Sequence, residues 1–134
     1  MSYVLDTNAV SDWINDRGAV RAHSRTARQA GSRLGTCIPV VAELYFGAEQ
    51  SASRDRALND LRFGLSQFIV WPFDLDAARE YGRLYTDLIR RGRPMQEIDV
   101  MIAAIALTLG SCTVVTSDSD LSAVPGLAVE NWAA

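Results

Sequence analysis

The chain has 134 residues and a net charge of −3, with 49% hydrophobic and 22% charged residues, which is the size and balance of one globular domain. No apolar run reaches the roughly 18 residues of a membrane helix, and a signal-peptide pattern is lacking, so a cytoplasmic protein is expected. The chain has one histidine and no lysine. This excludes lysine-dependent phosphate binding, Schiff-base chemistry and histidine-rich metal sites.

Short apolar runs alternate with amphipathic segments along the chain. Strands are predicted at residues 3–5, 36–38, 69–71, 112–116 and, at the sheet edge, 127–129. Helices are predicted at residues 8–16, 19–34, from 39 onward, 53–68, 74–91 and 99–109, with Asp74 as an N-cap. The alternation predicts an α/β fold with a mostly parallel sheet and right-handed crossovers. Residues 1–134 are expected to form a single domain.

Four acidic residues lie where predicted strands end or helices begin. Asp6 follows the first strand, Glu43 lies one turn into the helix after the second, Asp99 begins a helix, and Asp118 follows the fourth strand. Strand ends and the starts of the following helices share one edge of a parallel sheet, where such folds bind ligands. The four carboxylates are therefore expected to meet at a single crevice.

Carboxylates brought together in this way need a counter-ion. Two like charges about 4 Å apart repel by roughly 4 kcal/mol at an effective dielectric near ~20. Proton uptake relieves part of this repulsion, and a hard divalent cation such as Mg²⁺ or Mn²⁺ relieves it better. Such a cation activates water and bridges phosphate oxygens. The pattern therefore points to hydrolysis of a phosphodiester.

Three of the four acids also have a simpler interpretation, whereas Asp6 follows an apolar strand and is the hardest to explain otherwise. Asp99 is compatible with a helix cap, Asp118 with a turn residue and Glu43 with a surface charge. A non-catalytic binding module with a structural metal ion in the acidic cluster is the alternative function. A receiver or phosphoryl-transfer domain is disfavoured because such sites usually use a lysine.

Four segments resemble, in order, the motifs of the PIN-domain family, and most closely its VapC-type toxin ribonucleases. They are VLDTN at 4–8, PVVAELYFG at 39–47, IDVMIAA at 98–104 and VTSDSDL at 115–121. The resemblance implies a five-stranded, mostly parallel sheet with helices on both faces. It also implies a Mg²⁺- or Mn²⁺-dependent endoribonuclease, the toxin of a type II toxin–antitoxin pair, which hydrolyses RNA with metal-activated water.

The resemblance also assigns roles to individual residues. The catalytic acids would be Asp6, Glu43, Asp99 and Asp118. Asp6, Asp99 and Asp118 would bind the metal, with Glu43 bound directly or through water and Asp120 as a possible further ligand. Three neighbours, Thr7, Asn8 and Thr116, would orient the carboxylates. Whether Asp118 or Asp120 is the fourth acid stays open.

Partners follow from the same resemblance. It implies a homodimer, a VapB-like antitoxin whose tail offers an arginine to the acidic groove, and a heterotetramer or larger complex. Arg90, Arg91 and Arg93 are either a solvated helix end or contacts to RNA phosphates. Other conspicuous side chains are expected to be structural: Cys37 and Cys112 as core thiols, the aromatic residues as core or dimer contacts, and His23 as a solvent-facing residue.

Overall fold

A computed structural model describes residues 1–134 of the chain. The five strands are β1 (Ser2–Leu5), β2 (Arg33–Cys37), β3 (Ile69–Trp71), β4 (Cys112–Val115) and β5 (Ala128–Glu130). The six α-helices are α1 (Thr7–Ile14), α2 (Val20–Gln29), α3 (Ile38–Gln50), α4 (Arg54–Leu65), α5 (Leu75–Arg90) and α6 (Glu97–Leu109). A short 3₁₀ helix, Ser119–Ala123, connects β4 to β5.

The strands form one sheet in the order β3-β2-β1-β4-β5, and every neighbouring pair is parallel. The predicted five-stranded α/β fold is confirmed, with β5 at an edge. The chain moves one way along the sheet from β1 to β3 and returns from β3 to β4. Right-handed crossovers therefore put α1–α4 and α5–α6 on opposite faces. Strand β1 lies at the centre, so its carboxyl end is flanked by two neighbours.

Burial follows this layering. Val4 and Leu5 of β1 are fully buried, as a strand covered on both faces requires. Helix α6 is almost entirely apolar from Val100 to Ala106 and is buried around most of its circumference. Asp99, one residue before this apolar stretch, is thereby fixed at the margin of the core.

Local signals set most of the helix ends. Asp74 caps α5, as predicted, by accepting a hydrogen bond of 2.9 Å from the Ala77 amide. The predicted helix at residues 19–34 was too long, because α2 ends at Gln29 and Gly31 turns the chain with φ +85°. The Arg33 amide then donates to the Met1 carbonyl at 3.0 Å and opens β2. Pairing with β1 therefore overrides the helical tendency of this segment.

No helix of the chain combines the length and the apolar character needed to cross a bilayer.

Gly35 allows β2 and β3 to approach each other. A Cβ atom there would lie 2.4 Å from the Ile69 carbonyl oxygen and 2.5 Å from the Trp71 ring. We expect Gly35→Ala to lower the free energy of unfolding by about 1–3 kcal/mol through overpacking, as measured by urea denaturation. Gly82→Ala is the matched control, because nothing lies within 4 Å of its Cβ position and alanine favours an exposed helix by about 1 kcal/mol. Equal effects of the two substitutions would contradict this account.

Candidate active site

Asp6 lies at the carboxyl end of the central strand and caps α1. Its amide donates to the Val115 carbonyl at 3.0 Å, and its carboxylate accepts from the Ala9 amide at 2.8 Å. The residue is only 5% exposed, and this burial raises the pKa of the carboxyl group. Hydrogen bonds from the Thr116 hydroxyl and the Ala9 amide act in the opposite direction and favour the charged form. The carboxylate is thus held in a fixed position.

Glu43 approaches the same edge from the helix that follows β2. Pro39 lies in the first turn of α3, and Glu43 follows about one turn later. Its carboxylate accepts a hydrogen bond from the Thr7 hydroxyl, although the two residues are 36 positions apart in sequence. Thr7 directly follows Asp6, so this contact ties α3 to the end of β1.

Asp118 begins the 3₁₀ helix that follows β4. Its amide donates to the Thr116 hydroxyl at 2.9 Å, and its carboxylate accepts from the Asp120 amide at the same distance. The turn role considered from the sequence is therefore real. Asp118 forms this turn and also lies near the other acids, because its charge contributes to raising the pKa of Asp6.

Asp99 has the largest pKa shift of the predicted acids. It lies in the first turn of α6, whose N-cap is Gln96, so it is not the cap itself. Its pKa is raised to about 6, first by burial and then by repulsion from four other carboxylates. In decreasing order of effect they are Asp118, Asp6, Glu43 and Asp120. Asp99 therefore lies within electrostatic range of four other acids at one edge of the sheet.

The donor set at this edge consists of oxygen atoms. Burial raises the pKa of the neighbouring Cys37 thiol to about 12, so it does not supply a thiolate ligand at neutral pH. The side chains are not gathered into a group of three or more that could hold a metal ion directly, as expected of like charges that repel. Carboxylate and hydroxyl oxygens nevertheless fit a hard cation such as Mg²⁺ or Mn²⁺ better than a soft one.

Two of the three residues predicted to orient the carboxylates contact them. Thr7 and Thr116 hydrogen bond to acids of the site, whereas Asn8 is exposed and makes no such bond.

Arg91 forms an ion pair of 3.1 Å with Asp87 on α5. The prediction for His23 was incomplete, because its ring stacks on Trp132 with 5.6 Å between centroids.

An open cleft of about 690 Å³ runs from the acidic edge between α1 and the α3–α4 pair. Thr7, Asn8 and Glu43 line one part of it, and Arg17 and Arg56 line another. The cleft thus carries both signs of charge along its length and reaches the carboxylates from the α1–α4 face.

Sequence reasoning missed the support given by Thr36. Its buried hydroxyl donates to the Leu5 carbonyl at 2.7 Å, immediately before Asp6. A threonine in a strand is common, so no local signal distinguishes this one. Asp12 on α1 also acts on the site, because its charge contributes to raising the pKa of Asp6.

Comparison with known proteins identifies the family that the sequence motifs resemble. Residues 3–127 match the family model described as PIN domain. The chain is 31% identical to Ribonuclease VapC2 of Haemophilus influenzae over 98% of both chains. It is 28% identical to the tRNA(fMet)-specific endonuclease VapC of Salmonella typhimurium, again over 98% of both.

Solved structures agree with this match. The chain superimposes with a TM-score of 0.91 on a chain of the VapBC2 complex of Rickettsia felis bound to a promoter DNA fragment, at 26% identity and covering 98% of this chain and 99% of that one. The DNA-bound VapBC of Salmonella typhimurium gives a TM-score of 0.89 at 28% identity, covering 98% of each chain.

The raised pKa of Asp99 has a consequence for stability. An unfolded aspartate titrates near ~3.9, whereas folded Asp99 titrates at about 6. The folded state therefore holds this proton more tightly, and its stability falls as the pH rises from about 4 to about 6. We expect Asp99→Asn to stabilise the metal-free protein at pH 7.5 by about 1 kcal/mol, a value reduced for partial solvent screening.

Urea denaturation in EDTA at pH 7.5 and pH 4 measures this effect. The stabilisation should be present at pH 7.5 and nearly absent at pH 4, where the native carboxyl group is protonated. A destabilised Asp99→Asn variant at pH 7.5 would contradict the electrostatic description of the site.

Proposed function

This chain belongs to the PIN-domain family, and from that membership we propose that it is a divalent-metal-dependent endoribonuclease, the toxin of a type II toxin–antitoxin pair. Relatives at about 30% identity over nearly the whole chain are named VapC ribonucleases. The observation that carries the proposal is the electrostatic coupling of Asp99 to Asp6, Glu43, Asp118 and Asp120. An RNA substrate also implies a cytoplasmic location.

The acids have distinct roles in this proposal. Asp6, Asp99 and Asp118 hold the cation, Glu43 binds it directly or through water, and Asp120 is a possible additional ligand. When bound, Mg²⁺ or Mn²⁺ would neutralise charge on the phosphate and lower the pKa of water. The hydrogen bond from Thr7 orients Glu43, and the one from Thr116 orients Asp6. Asn8, which is exposed at the cleft, remains a candidate for the same supporting role.

Hydrolysis would proceed without a covalent enzyme intermediate. Cys37 is buried, and its thiol stays protonated because burial raises its pKa to about 12, so it is a poor nucleophile. His23 lies against Trp132 and is not used as a base. Water would therefore attack the phosphorus while the acidic cluster accepts its proton. The P–O bond to the leaving oxygen breaks, and that oxygen takes up a proton from the cluster or from solvent. The cluster combines binding and proton transfer in one group of carboxylates.

RNA cleavage tests this proposal. The wild-type chain with Mg²⁺ or Mn²⁺ should cleave RNA, and tRNA(fMet) is the first substrate to try because two relatives are named for it. EDTA should abolish cleavage. Asp99→Asn should lower the rate by at least about 100-fold, since removing a directly placed catalytic charge typically costs this much. Asp76→Asn, an exposed acid on α5, is the matched control and should cleave normally.

The alternative function is a binding module in which the acids hold a structural metal ion. Asp6→Asn separates the two functions, because asparagine preserves the shape and can still cap α1. Loss of cleavage with retained folding supports the nuclease. Unfolding of Asp6→Asn, together with an inactive but folded wild-type chain, would favour the structural ion.

We also propose a VapB-like antitoxin as partner, with an arginine of its tail inserted at the carboxylates. The solved structures that contain a chain similar to this one are described as VapBC. The 690 Å³ cleft reaches Glu43 and offers a route for such a segment. A guanidinium group there would form charge-assisted hydrogen bonds and compete with the metal for the same oxygens.

The chain is further proposed to form a homodimer, and a heterotetramer or larger complex with the antitoxin. Large apolar side chains on α3 and α5 support this, since they are exposed to an unusual extent. Examples are Phe46 at 69% and Leu75 at 71%.

A peptide with the sequence of the antitoxin tail, encoded beside the gene of this chain, tests the inhibition. It should suppress cleavage, and raising Mg²⁺ should restore activity because peptide and cation compete for the same carboxylates. The same peptide with its arginine changed to glutamine is the control and should inhibit poorly. Uninhibited cleavage with the native peptide would count against this mode of inhibition. Light scattering of the same samples reports the mass of the assembly.

A further inference from the structure

The arginines of this chain are mostly engaged within the fold. Most form ion pairs with carboxylates, as Arg91 does with Asp87. Others donate hydrogen bonds to neutral groups, as Arg28 does to the Gln67 carbonyl. Three arginine side chains, Arg25, Arg90 and Arg93, make neither an ion pair nor a hydrogen bond. These three are available to an external anion.

Arg93 differs from the other two in its location. It lines a cleft of about 460 Å³ between the α5–α6 connection and the 3₁₀ helix after β4. Asp120 lines the same cleft, and its charge also raises the pKa of Asp99. The cleft therefore opens beside the acidic site. Arg25, in contrast, lies on α2, on the opposite face of the sheet.

The lining of this cleft suits a segment of nucleic acid. Its volume lies within the range of small-ligand pockets, about 300–1,000 Å³. Buried Leu88 and Met95 provide an apolar floor, and Ser119 provides a hydroxyl group. Arg93 and Asp120 share the cleft without forming an ion pair. The guanidinium group is thus not neutralised by the acid nearest to it in the cleft.

An acidic site needs such a group, because five carboxylates repel a polyanionic substrate. A cation bound among the acids acts only at the phosphate that it contacts. A neighbouring phosphate of the strand meets unscreened negative charge unless a basic side chain lies along its path. Arg93 is the unengaged arginine in a cleft that opens at the acids.

We propose that single-stranded RNA leaves the acidic site through this cleft and that Arg93 binds a backbone phosphate next to the one being cleaved. This inference rests on the proposed ribonuclease function and adds the path of the strand. Arg93 is a positioning residue, since it does not touch the reacting atoms. Arg91, engaged by Asp87, and Arg90, which does not line the cleft, are not required for it.

RNA binding in an Asp99→Asn background, in which cleavage is slowed by at least about 100-fold, tests the proposal directly. The probe is a fluorescein-labelled single-stranded RNA of mixed sequence, followed by anisotropy over a range of KCl concentrations. Arg93→Gln should raise Kd by about threefold to tenfold. It should also reduce the slope of log Kd against log salt by about 0.7, the value for one phosphate contact to a single strand. Arg93→Lys should retain the slope because it keeps the charge.

Arg25→Gln is the matched control, because it removes the same charge from another unengaged arginine. It should leave both Kd and the salt slope unchanged. In the otherwise wild-type enzyme, Arg93→Gln should raise KM for RNA and leave kcat within about twofold, as expected for a residue that binds substrate and transition state equally.

The outcomes separate this inference from the function on which it rests. If the wild-type chain cleaves RNA but Arg93→Gln behaves as Arg25→Gln does, the strand path is wrong and the ribonuclease stands. If Arg93→Gln weakens inhibition by the antitoxin peptide and leaves RNA binding unchanged, the cleft binds an acidic segment of the partner and the inference is overturned. If the wild-type chain neither binds nor cleaves RNA, both proposals fail.

Discussion

Repulsion among carboxylates at the carboxyl edge of a parallel sheet is the constraint on which this structure depends. Asp6 is brought there by the central strand, and the others arrive from separate elements on both sides of it. These acids are far apart in sequence. The fold brings them together, because β1 is held between β2 and β4 by parallel pairing along its length. Burial and mutual repulsion imposed by the topology therefore raise the proton affinity of Asp6 and Asp99.

Hydrogen bonds limit how far this repulsion can spread the site apart. The Ala9 amide and the Thr116 hydroxyl hold Asp6, Thr7 holds Glu43, and Asp118 is held by the turn that it caps. The two hydrogen bonds to Asp6 also favour the charged form of its carboxylate. Asp99 has the largest pKa shift of the acids and is dominated by burial and repulsion. Binding of a proton or a cation at Asp99 therefore relieves the electrostatic repulsion most directly.

The sequence predicted the α/β class, the succession of strands and helices along the chain and four candidate acids, because these depend on alternation and on position after apolar runs. It did not predict where β2 begins. Residues 33–35 read as the end of a helix, yet Arg33 and Gly35 are strand residues because they pair with β1 and accept the close approach of β3. The contacts that orient the acids, such as Thr7 to Glu43, join distant segments and have no local signature. The metal-binding and catalytic roles of the acids stay predictions.

The arginines determine where the surface of this protein carries positive charge. A chain with a net charge of −3 and an acidic site must still attract RNA, so its positive charge has to be distributed unevenly. Ion pairs on the outer surfaces of α4 and α5 neutralise several arginines locally, and in exposed positions such pairs contribute little to stability. Their effect is to leave few guanidinium groups free. One of these few, Arg93, lines a cleft beside the acids, so part of the unneutralised positive charge faces the proposed route to the reacting phosphate. Local distribution of charge, and not its total, then determines how this surface meets a polyanion.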